Sequence, residues 1–257
     1  MKTSLAFLKL LMLSLMTIAC TNNTPTLNPN KPLIVAHRGG ADLGMENSLS
    51  CISKGIAAGA DMVEIDVHLT ADGEVVVCHD ATIDRTTNGK GKIEKLTLNQ
   101  IRGLRLLNGD GTPSDETVPT LEEVLQLVKG RCALLLEIKK KKDQYEGIEQ
   151  KVADLIVKYD MQETVVVQSF NDYVLKEMHR LLPDLRLELL SFTKVSNVED
   201  YPFISSFNIC RYFVTARYVE RIHRQGREVK IWTVKRPCRA SRLPVDGIIT
   251  NDPNLFL

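Results

Sequence analysis

The length, composition and charge of the chain set the first limits on what it can be. It has 257 residues, of which 44% are hydrophobic and 25% charged, so it suits one large domain or two small ones and is not disordered. With 33 Lys and Arg against 32 Asp and Glu, the net charge of +1 gives no global field that would favour nucleic acid or an anionic membrane surface. An anionic ligand would have to be held by local chemistry.

Residues 1–20 predict a segment that is separate from the folded part. A basic residue precedes an apolar run that is too short to span a bilayer, and this order is typical of a secretory signal. The run ends at Cys20 in a pattern that resembles a bacterial lipobox, although Thr17 stands where Leu is usual. We therefore expect export to the bacterial cell envelope and a membrane anchor on a lipidated Cys20, with ordinary secretion as the alternative. Residues 21–32 predict a flexible tether.

After residue 32, short β-branched runs alternate with segments of helical period. A strand at LIVAH precedes a helical segment, NSLSCISKGIAAG, and two strand-like runs, MVEIDVHL and EVVVCH, then flank the hairpin turn Asp72-Gly73. The run TLEEVLQLVKG predicts a helix with Thr120 as its N-cap and Gly130 at its end.

The second half of the chain continues the alternation. Strands are predicted at CALLLEIK, TVVVQSF, RLELLSF, FNIC, EVKIWTV and DGIIT, with helices between most of them and a loop-rich stretch after the third. About eight such units in roughly 225 residues predict an α/β fold, a (β/α)8 TIM barrel over residues 33–257 with a small hairpin insertion after the second strand. These eight units fit an open doubly wound sheet less well than a closed barrel. The glycine-rich fingerprints of nucleotide sites are absent.

Polar side chains collect where the predicted strands end, which is the catalytic rim of such a barrel. Glu64 and Asp66 share one face of their strand because side chains alternate, and Glu137 ends the next barrel strand. Carboxylates that face one cavity repel each other unless a cation lies between them. Although a solvated hairpin face would explain a single pair of acids, three acids without a nearby cysteine favour a hard cation such as Mg²⁺ or Ca²⁺.

Two histidines and two cations accompany these acids. His37 and His79 each follow an apolar run, where a lone histidine is usually a core or edge residue, but a pair beside a metal site indicates an acid and a base. Arg38 and Lys139 are placed to bind phosphate oxygens. The combination predicts cleavage of a phosphoester with a metal ion as the Lewis acid.

These residues belong to motifs that resemble the glycerophosphodiester phosphodiesterase family over nearly all of the predicted barrel. The matching pieces are AHRGG at Ala36, EN at Glu46, VEIDVHLTADGEVVVCHDATIDRTTNGKG from Val63, LLEIK at Leu135, QSF at Gln168, VKIWTV at Val229 and VDGIITNDP at Val245. The long central piece is highly specific. The resemblance implies a TIM-barrel hydrolase that cleaves deacylated phospholipids, such as glycerophosphocholine, into an alcohol and sn-glycerol 3-phosphate.

The resemblance also implies a role for each matching residue. It implies one divalent cation, a small-molecule substrate, and neither nucleic acid nor an obligate protein partner. The acid and base pair would be His37 and His79, with His79 as the general acid. The ligands of the metal ion would be Glu64, Asp66 and Glu137, and the phosphate would be contacted by Arg38 and Lys139. The site would be supported by Glu46, Asn47 and Trp232.

The chain departs from the family pattern near its carboxyl end. Lys235 follows Trp-Thr-Val where Asn is usual, and the segment before Val245 is about three residues short and carries two prolines, so the last barrel helix is expected to be stunted or frayed. Met45 and Ser48 replace the usual Pro and Thr around the Glu-Asn pair.

Two alternatives to this substrate and activity stay open on the sequence alone. One is a related phosphodiesterase that acts on a phosphoinositide or on an envelope glycerophosphate polymer. The other is a surface lipoprotein whose fold serves binding or adhesion. Copies that have lost activity usually lack a metal ligand or a histidine, whereas this chain keeps all of them, which favours catalysis.

Overall fold

The computed structural model of the protein describes residues 31–141 and 144–257. The predicted signal segment, and the predicted tether up to residue 30, lie outside the described residues. In the part of the chain that is described, no helix is long and apolar enough to cross a bilayer.

A closed parallel barrel is the core of the fold. Among the described residues nine strands form one sheet, and β1 pairs with both β9 and β2, so the sheet closes on itself; only β3 is antiparallel to its neighbour. The prediction of a (β/α)8 TIM barrel is confirmed. The strands are β1 Leu33–Ala36, β2 Met62–Leu69, β3 Val75–Val77, β4 Ala133–Ile138, β5 Val165–Ser169, β6 Arg186–Ser191, β7 Ser206–Cys210, β8 Glu228–Trp232 and β9 Gly247–Thr250.

Helices cover the outer face of the barrel, and two connections lack one. The helices are α1 Leu49–Ala57, α2 Leu98–Arg102, α3 Leu121–Val128, α4 Ile148–Lys158, α5 Asp172–Leu181 and α6 Ala216–His223. Short 3-10 turns, Val198–Asp200 and Ala240–Arg242, replace a helix between β6 and β7 and between β8 and β9. The second replacement agrees with the expectation of a stunted last helix, since the prolines of that segment remove backbone donors.

Strand alternation explains why polar residues enter the barrel. All eight residues of β2 are buried. Val63 and Ile65 pack in the large core under the helices. Met62 packs on Val35 and Ala133 inside the barrel, and the alternate residues Glu64, Asp66 and His68 share its face.

The helix that begins at Thr120 shows how local sequence sets an element boundary. The Thr120 hydroxyl accepts a hydrogen bond from the backbone of Glu123, whose carboxylate accepts one from the backbone of Thr120, and this capping box starts α3 as predicted. The helix ends at Val128, two residues before Gly130, which takes a left-handed φ of +70°.

The segment between β2 and α3 forms a small insertion with a core of its own. It begins with the predicted turn, in which Gly73 has a φ of +80°, and β3 then pairs back on β2. Its separate core contains Val76, Cys78, Ile83, Ile93, Ile101, Leu106 and Val118. The backbone N–H of Cys78 donates to the carbonyl of Asp66, so the insertion returns the chain to the carboxyl end of β2.

Candidate active site

Three buried carboxylates meet at the carboxyl ends of β2 and β4. Asp66 and Glu137 are register partners on neighbouring strands, and Glu64 precedes Asp66 on the same face. One oxygen from each carboxylate lies within 4.8 Å of the others. The exposed fraction is 6% or less for each of the three residues, so their charges are largely removed from water.

The electrostatics of this cluster show that the charges need compensation. Burial, followed by repulsion from Asp66 and Glu137, raises the pKa of Glu64 well above its usual range. Burial and Asp66 raise the pKa of Glu137 to about 7. Although burial opposes it, the pKa of Asp66 is lowered, chiefly by Lys139, whose Nζ lies 3.1 Å from Asp66 and 2.9 Å from Glu137.

The donor set fits a divalent cation. Oδ1 of Asp66 is buried and accepts no well-aligned hydrogen bond within the described residues, and the nearby carboxylates supply only hard oxygen atoms. Glu64, Asp66 and Glu137 could therefore hold one hard divalent cation, which would replace repulsion by attraction.

His37 and Arg38 leave β1 in a tight 3-10 turn beside these acids. Arg38 has a left-handed φ of 53°, and its backbone N–H donates to Oε2 of Glu64 at 2.7 Å. The next residue is glycine, with a φ of +82°, and a Cβ there would come within 2.9 Å of Ile52. Nε of Arg38 is buried without a hydrogen-bond partner in the described part of the chain, so a strong donor is left for an anionic ligand.

His37 is a neutral imidazole with a fixed tautomer. Its Nδ1 lies 2.7 Å from Oδ1 of Asn251, and because an amide oxygen only accepts, Nδ1 carries the hydrogen and Nε2 keeps a lone pair. Burial, with help from the charge of Arg38, lowers the pKa of His37 to about 4. At neutral pH the ring can therefore accept a proton at Nε2.

His79 follows β3 and begins a chain of ion pairs. Nδ1 of His79 lies 2.7 Å from Oδ1 of Asp80, whose Oδ2 accepts a hydrogen bond from Nε of Arg85 at 2.6 Å. The guanidinium of Arg85 donates two further bonds to Glu46, at 2.8 and 2.7 Å, and Glu46 also accepts one from Arg38 at 3.1 Å. The chain thus links the insertion to the loop after β1.

Two residues that the sequence analysis gave no role hold the backbone of His79. Nε2 of His68 lies 3.2 Å from the carbonyl of His79, and because a carbonyl only accepts, Nε2 carries the hydrogen. Nδ1 of His68 then accepts from the hydroxyl of Tyr145 at 2.8 Å. Burial lowers the pKa of His68 to about 4. Alternation along β2 could have identified His68, whereas Tyr145 has no signal in the local sequence.

The predicted supporting residues lie at different parts of the site. Nδ2 of Asn47, which has a left-handed φ of 61°, donates to Asp66 at 2.9 Å. Trp232 lies farther round the rim, where its Nε1 donates to the carbonyl of Asn208 at 2.8 Å. Its ring contacts Phe170, at 5.6 Å between centroids. Phe170 also lines a cavity of about 390 Å³ with His79, Glu137 and Lys139, so Trp232 borders the site through Phe170.

A buried polar chain supports Glu64 from inside the barrel. Nε2 of Gln168 donates to Glu64 at 3.3 Å, and Nδ2 of Asn208 lies 2.8 Å from Gln168 and 2.7 Å from Glu188. Glu188 forms an ion pair with Lys230, and both are 1% exposed. The sequence analysis assigned none of these interior residues to the site, although Gln168 belongs to one of its motifs.

Comparison with known proteins identifies the family. The model of the glycerophosphoryl diester phosphodiesterase family matches residues 37–255. A glycerophosphodiester phosphodiesterase from Caldanaerobacter subterraneus is 35% identical over 237 residues, which are 88% of this chain and 97% of that protein. A glycerophosphodiester phosphodiesterase from Bacillus altitudinis is 33% identical over 86% of this chain and 95% of its own.

Solved structures agree with this match. A glycerophosphoryl diester phosphodiesterase from Parabacteroides distasonis has a TM-score of 0.72 and 26% identity, over 90% of this chain and 86% of its own. A phosphodiesterase from Oleispira antarctica, in complex with the product sn-glycerol-3-phosphate, has a TM-score of 0.76 and 26% identity, over 87% and 94% of the two chains. The resemblance inferred from sequence, and with it the prediction of an enzyme of this class, is confirmed. The chain belongs to the glycerophosphoryl diester phosphodiesterase family.

Proposed function

We propose that the protein hydrolyses glycerophosphodiesters, such as glycerophosphocholine, into an alcohol and sn-glycerol 3-phosphate. The observation that carries this proposal is the meeting of Glu64, Asp66 and Glu137 within 4.8 Å, beside two histidines and two cations. The product complex of the Oleispira relative supports a glycerophosphate substrate.

We propose that Glu64, Asp66 and Glu137 hold one divalent cation, Mg²⁺ or Ca²⁺. When bound, such an ion supplies Lewis-acid polarisation of the phosphoryl group. Lys139 lies against two of these carboxylates, and the buried Nε of Arg38 has no hydrogen-bond partner among the described residues, with Oδ2 of Asp66 3.9 Å away. Both cations can therefore bind phosphate oxygens and neutralise the charge that develops on them.

His37 and His79 serve as the base and the acid in this proposal. His37 is neutral and offers the Nε2 lone pair, so it accepts a proton from the attacking water molecule, whose oxygen becomes bonded to phosphorus. His79 is fixed by Asp80 at Nδ1, and in its protonated form, with a hydrogen on both ring nitrogens, its Nε2 donates a proton to the leaving alcohol oxygen. The bond from phosphorus to that oxygen breaks as the new bond to phosphorus forms.

An assay of residues 21–257 on glycerophosphocholine tests the activity. We expect release of glycerol 3-phosphate that stops when EDTA is added and returns with excess Mg²⁺ or Ca²⁺. Release that survives thorough chelation would contradict the metal mechanism. Turnover of a phosphoinositide or of polyglycerophosphate, with none of glycerophosphocholine, would replace the proposed substrate class.

We also propose that the protein is exported and anchored to the membrane by lipid on Cys20. The proposal depends on the order of charge and hydrophobicity in residues 1–20. Labelling with a radioactive fatty acid should mark the full chain, and Cys20→Ser should abolish the label and release the protein from membranes. An unlabelled wild-type chain would contradict the anchor.

A further inference from the structure

Exposed aromatic side chains lie on one side of the active-site mouth. Phe170, Phe192 and Tyr212 follow β5, β6 and β7, and they are 42%, 63% and 75% exposed. Phe213, beside Tyr212, is 46% exposed. Large aromatic rings are costly to leave in water, and when several lie close together they usually mark an interaction surface.

The first residues of the loops after β6 and β7, and the loop after β8, are rich in basic residues, and the β6–β7 loop carries its acids, Glu199 and Asp200, farther along. Residues 191–197, 210–217 and 233–245 hold seven of the 33 Lys and Arg of the chain and none of its 32 Asp and Glu. Because the whole chain has a net charge of only +1, this surface is a local positive region. Lys235, at the position where the family usually has Asn, is exposed within it, as is Arg236.

Contacts join the rings and Arg211 around Trp232, and Lys235 and Arg236 come three and four residues after Trp232 in the chain. The ring of Phe192 lies 5.0 Å from that of Phe170 and 5.1 Å from that of Trp232. The backbone N–H of Arg211 donates to the carbonyl of Trp232, and its guanidinium lies 4.2 Å from the centre of the Tyr212 ring. We call this surface the basic aromatic rim, with Phe170, Phe192, Arg211, Tyr212, Lys235 and Arg236 as its residues.

Lys235 and Arg236 are exposed, whereas the guanidinium of Arg211 also donates a hydrogen bond to the Tyr212 hydroxyl at 2.5 Å. Between residues 31–141 and 144–257, Arg211, Lys235 and Arg236 form no ion pair. On the opposite side of the mouth the arrangement differs, because the guanidinium of Arg85 is paired with both Glu46 and Asp80. The basic aromatic rim therefore combines exposed rings with cations that form no ion pair in the described part of the chain.

We propose that the basic aromatic rim docks the protein on an anionic phospholipid surface. Cations near such a surface are attracted by its negative potential, and aromatic rings settle at the level of the headgroups. A soluble polyanion would bind the cations but would leave the rings of Phe192 and Tyr212 in water, whereas a lipid surface would take up both. The guanidinium of Arg211 lies over the Tyr212 ring, so a cation and a ring would meet the lipid together. The proposal goes beyond the proposed activity, since docking requires no turnover.

Vesicle binding tests the proposal directly. Residues 21–257 contain all the described strands and helices of the barrel and lack the predicted signal and anchor. We expect this protein to sediment with vesicles that contain one third phosphatidylglycerol and not with vesicles of phosphatidylcholine, and salt should weaken the binding. Failure to bind the anionic vesicles would overturn the proposal.

The only tryptophan of the chain reports which face docks. Trp232 lies within van der Waals reach of the rim residues Phe170 and Phe192, so its emission should shift to shorter wavelength on binding and be quenched by brominated lipids. Binding without quenching would show that another face contacts the lipid and would overturn the assignment.

Variants separate this rim from general charge attraction. Removal of two cations in Lys235→Gln/Arg236→Gln should lower the vesicle partition coefficient about 25-fold, since each cation near the surface contributes about fivefold. Tyr212→Ser should lower it further. Lys90→Gln/Lys95→Gln, which removes the same charge from exposed positions of the insertion, is the matched control.

Each outcome of the comparison decides the proposal. All variants should turn over soluble glycerophosphocholine like the wild type, which shows that they are folded. An equal loss of binding in the control would indicate non-specific attraction. If polyglycerophosphate displaces the protein from vesicles and binds Tyr212→Ser as tightly as wild type, the surface serves a soluble polymer and the lipid assignment is wrong.

Discussion

The carboxylate of Asp80 lies 2.7 Å from Nδ1 of His79 and fixes the state of its ring. A carboxylate only accepts, so Nδ1 carries a hydrogen and Nε2 is the atom that can exchange a proton with a ligand. Arg85, which holds the other oxygen of Asp80, is itself held by Glu46. Asp80 is therefore a positioning residue for the proposed general acid.

Asp80→Asn should slow hydrolysis of substrates with poor leaving groups. We expect kcat for glycerophosphocholine to fall about 10- to 100-fold, below the 10² to 10⁴-fold contribution of a general acid, with little change in KM. Turnover of bis(p-nitrophenyl) phosphate should change much less, because its leaving group needs no proton.

Asp84→Asn is the matched control for this charge change. Its carboxylate accepts a hydrogen bond from the backbone of Gly91 and does not contact His79, so it should keep near wild-type kcat on both substrates. An equal loss on both substrates in Asp80→Asn would show that Asp80 acts on structure rather than on proton donation.

Cation binding should depend on pH through the carboxyl cluster. The pKa of Glu137 is raised to about 7 and that of Glu64 is raised well above its usual range, so both carry protons that a divalent cation must displace. Affinity should therefore rise as the pH increases from 6 to 8, and binding should release protons. Calorimetry in buffers of different ionisation enthalpy measures the number of protons released. An affinity for the cation that does not change between pH 6 and 8 would contradict this prediction.

Glu64→Gln should weaken the binding of the cation without unfolding the barrel. The substitution keeps the size of the side chain and its contact with the backbone of Arg38 but removes one ligand charge. We expect at least a tenfold rise in the dissociation constant for Mg²⁺ or Ca²⁺. Glu116→Gln is the control, since this acid binds Ser50 away from the cluster. An unchanged metal titration of Glu64→Gln would show that the ligand assignment is wrong.

Lys230→Met should destabilise the barrel strongly. The substitution leaves Glu188 as an uncompensated charge inside the barrel, where both residues are 1% exposed, and we expect a loss of about 3 to 5 kcal/mol in the free energy of unfolding. The double variant Lys230→Met/Glu188→Leu should recover most of it. Urea unfolding measures the free energy of unfolding of the single and the double variant. A loss much smaller than this in Lys230→Met would contradict the prediction and would mean that water compensates the charge of Glu188.

His68 should make stability depend on pH in the acid range. Its pKa is about 4 in the folded protein and near 6.5 when unfolded. Between these values the unfolded chain binds more protons, so stability falls as the pH decreases from about 6.5 to 4, by up to about 1.4 kcal/mol per pH unit. His68→Gln, which can keep both hydrogen bonds, should reduce this slope in urea unfolding at pH 7 and 5. An unchanged slope would contradict a buried neutral His68.

Regular patterns in the sequence were enough to predict the barrel and much of the acid cluster. Strand alternation placed Glu64 and Asp66 on one face, and parallel strands brought Glu137 beside them. The same alternation also places His68 on that face, but its bond to the carbonyl of His79 depends on how the insertion returns to β2.

Other contacts depend on long-range geometry that a local pattern does not contain. Asn251 meets His37 across 214 residues and Tyr145 meets His68 across 77. Asn47 has a left-handed backbone, which asparagine adopts more often than most residues, but the left-handed backbone of Arg38 had no local signal. Such positions are set by the surrounding contacts rather than by the preferences of the residues themselves.

The insertion between β2 and α3 has an evolutionary consequence. It carries His79 and its own apolar core, while His37 and the three carboxylates belong to the barrel. Since the proposed acid and the proposed metal ligands sit on separately packed units, the insertion can diverge in size and sequence without rebuilding the centre that binds the phosphate. Selection for new alcohol groups can therefore act on the rest of the insertion, so long as His79 is kept, while the barrel keeps His37 and the three carboxylates.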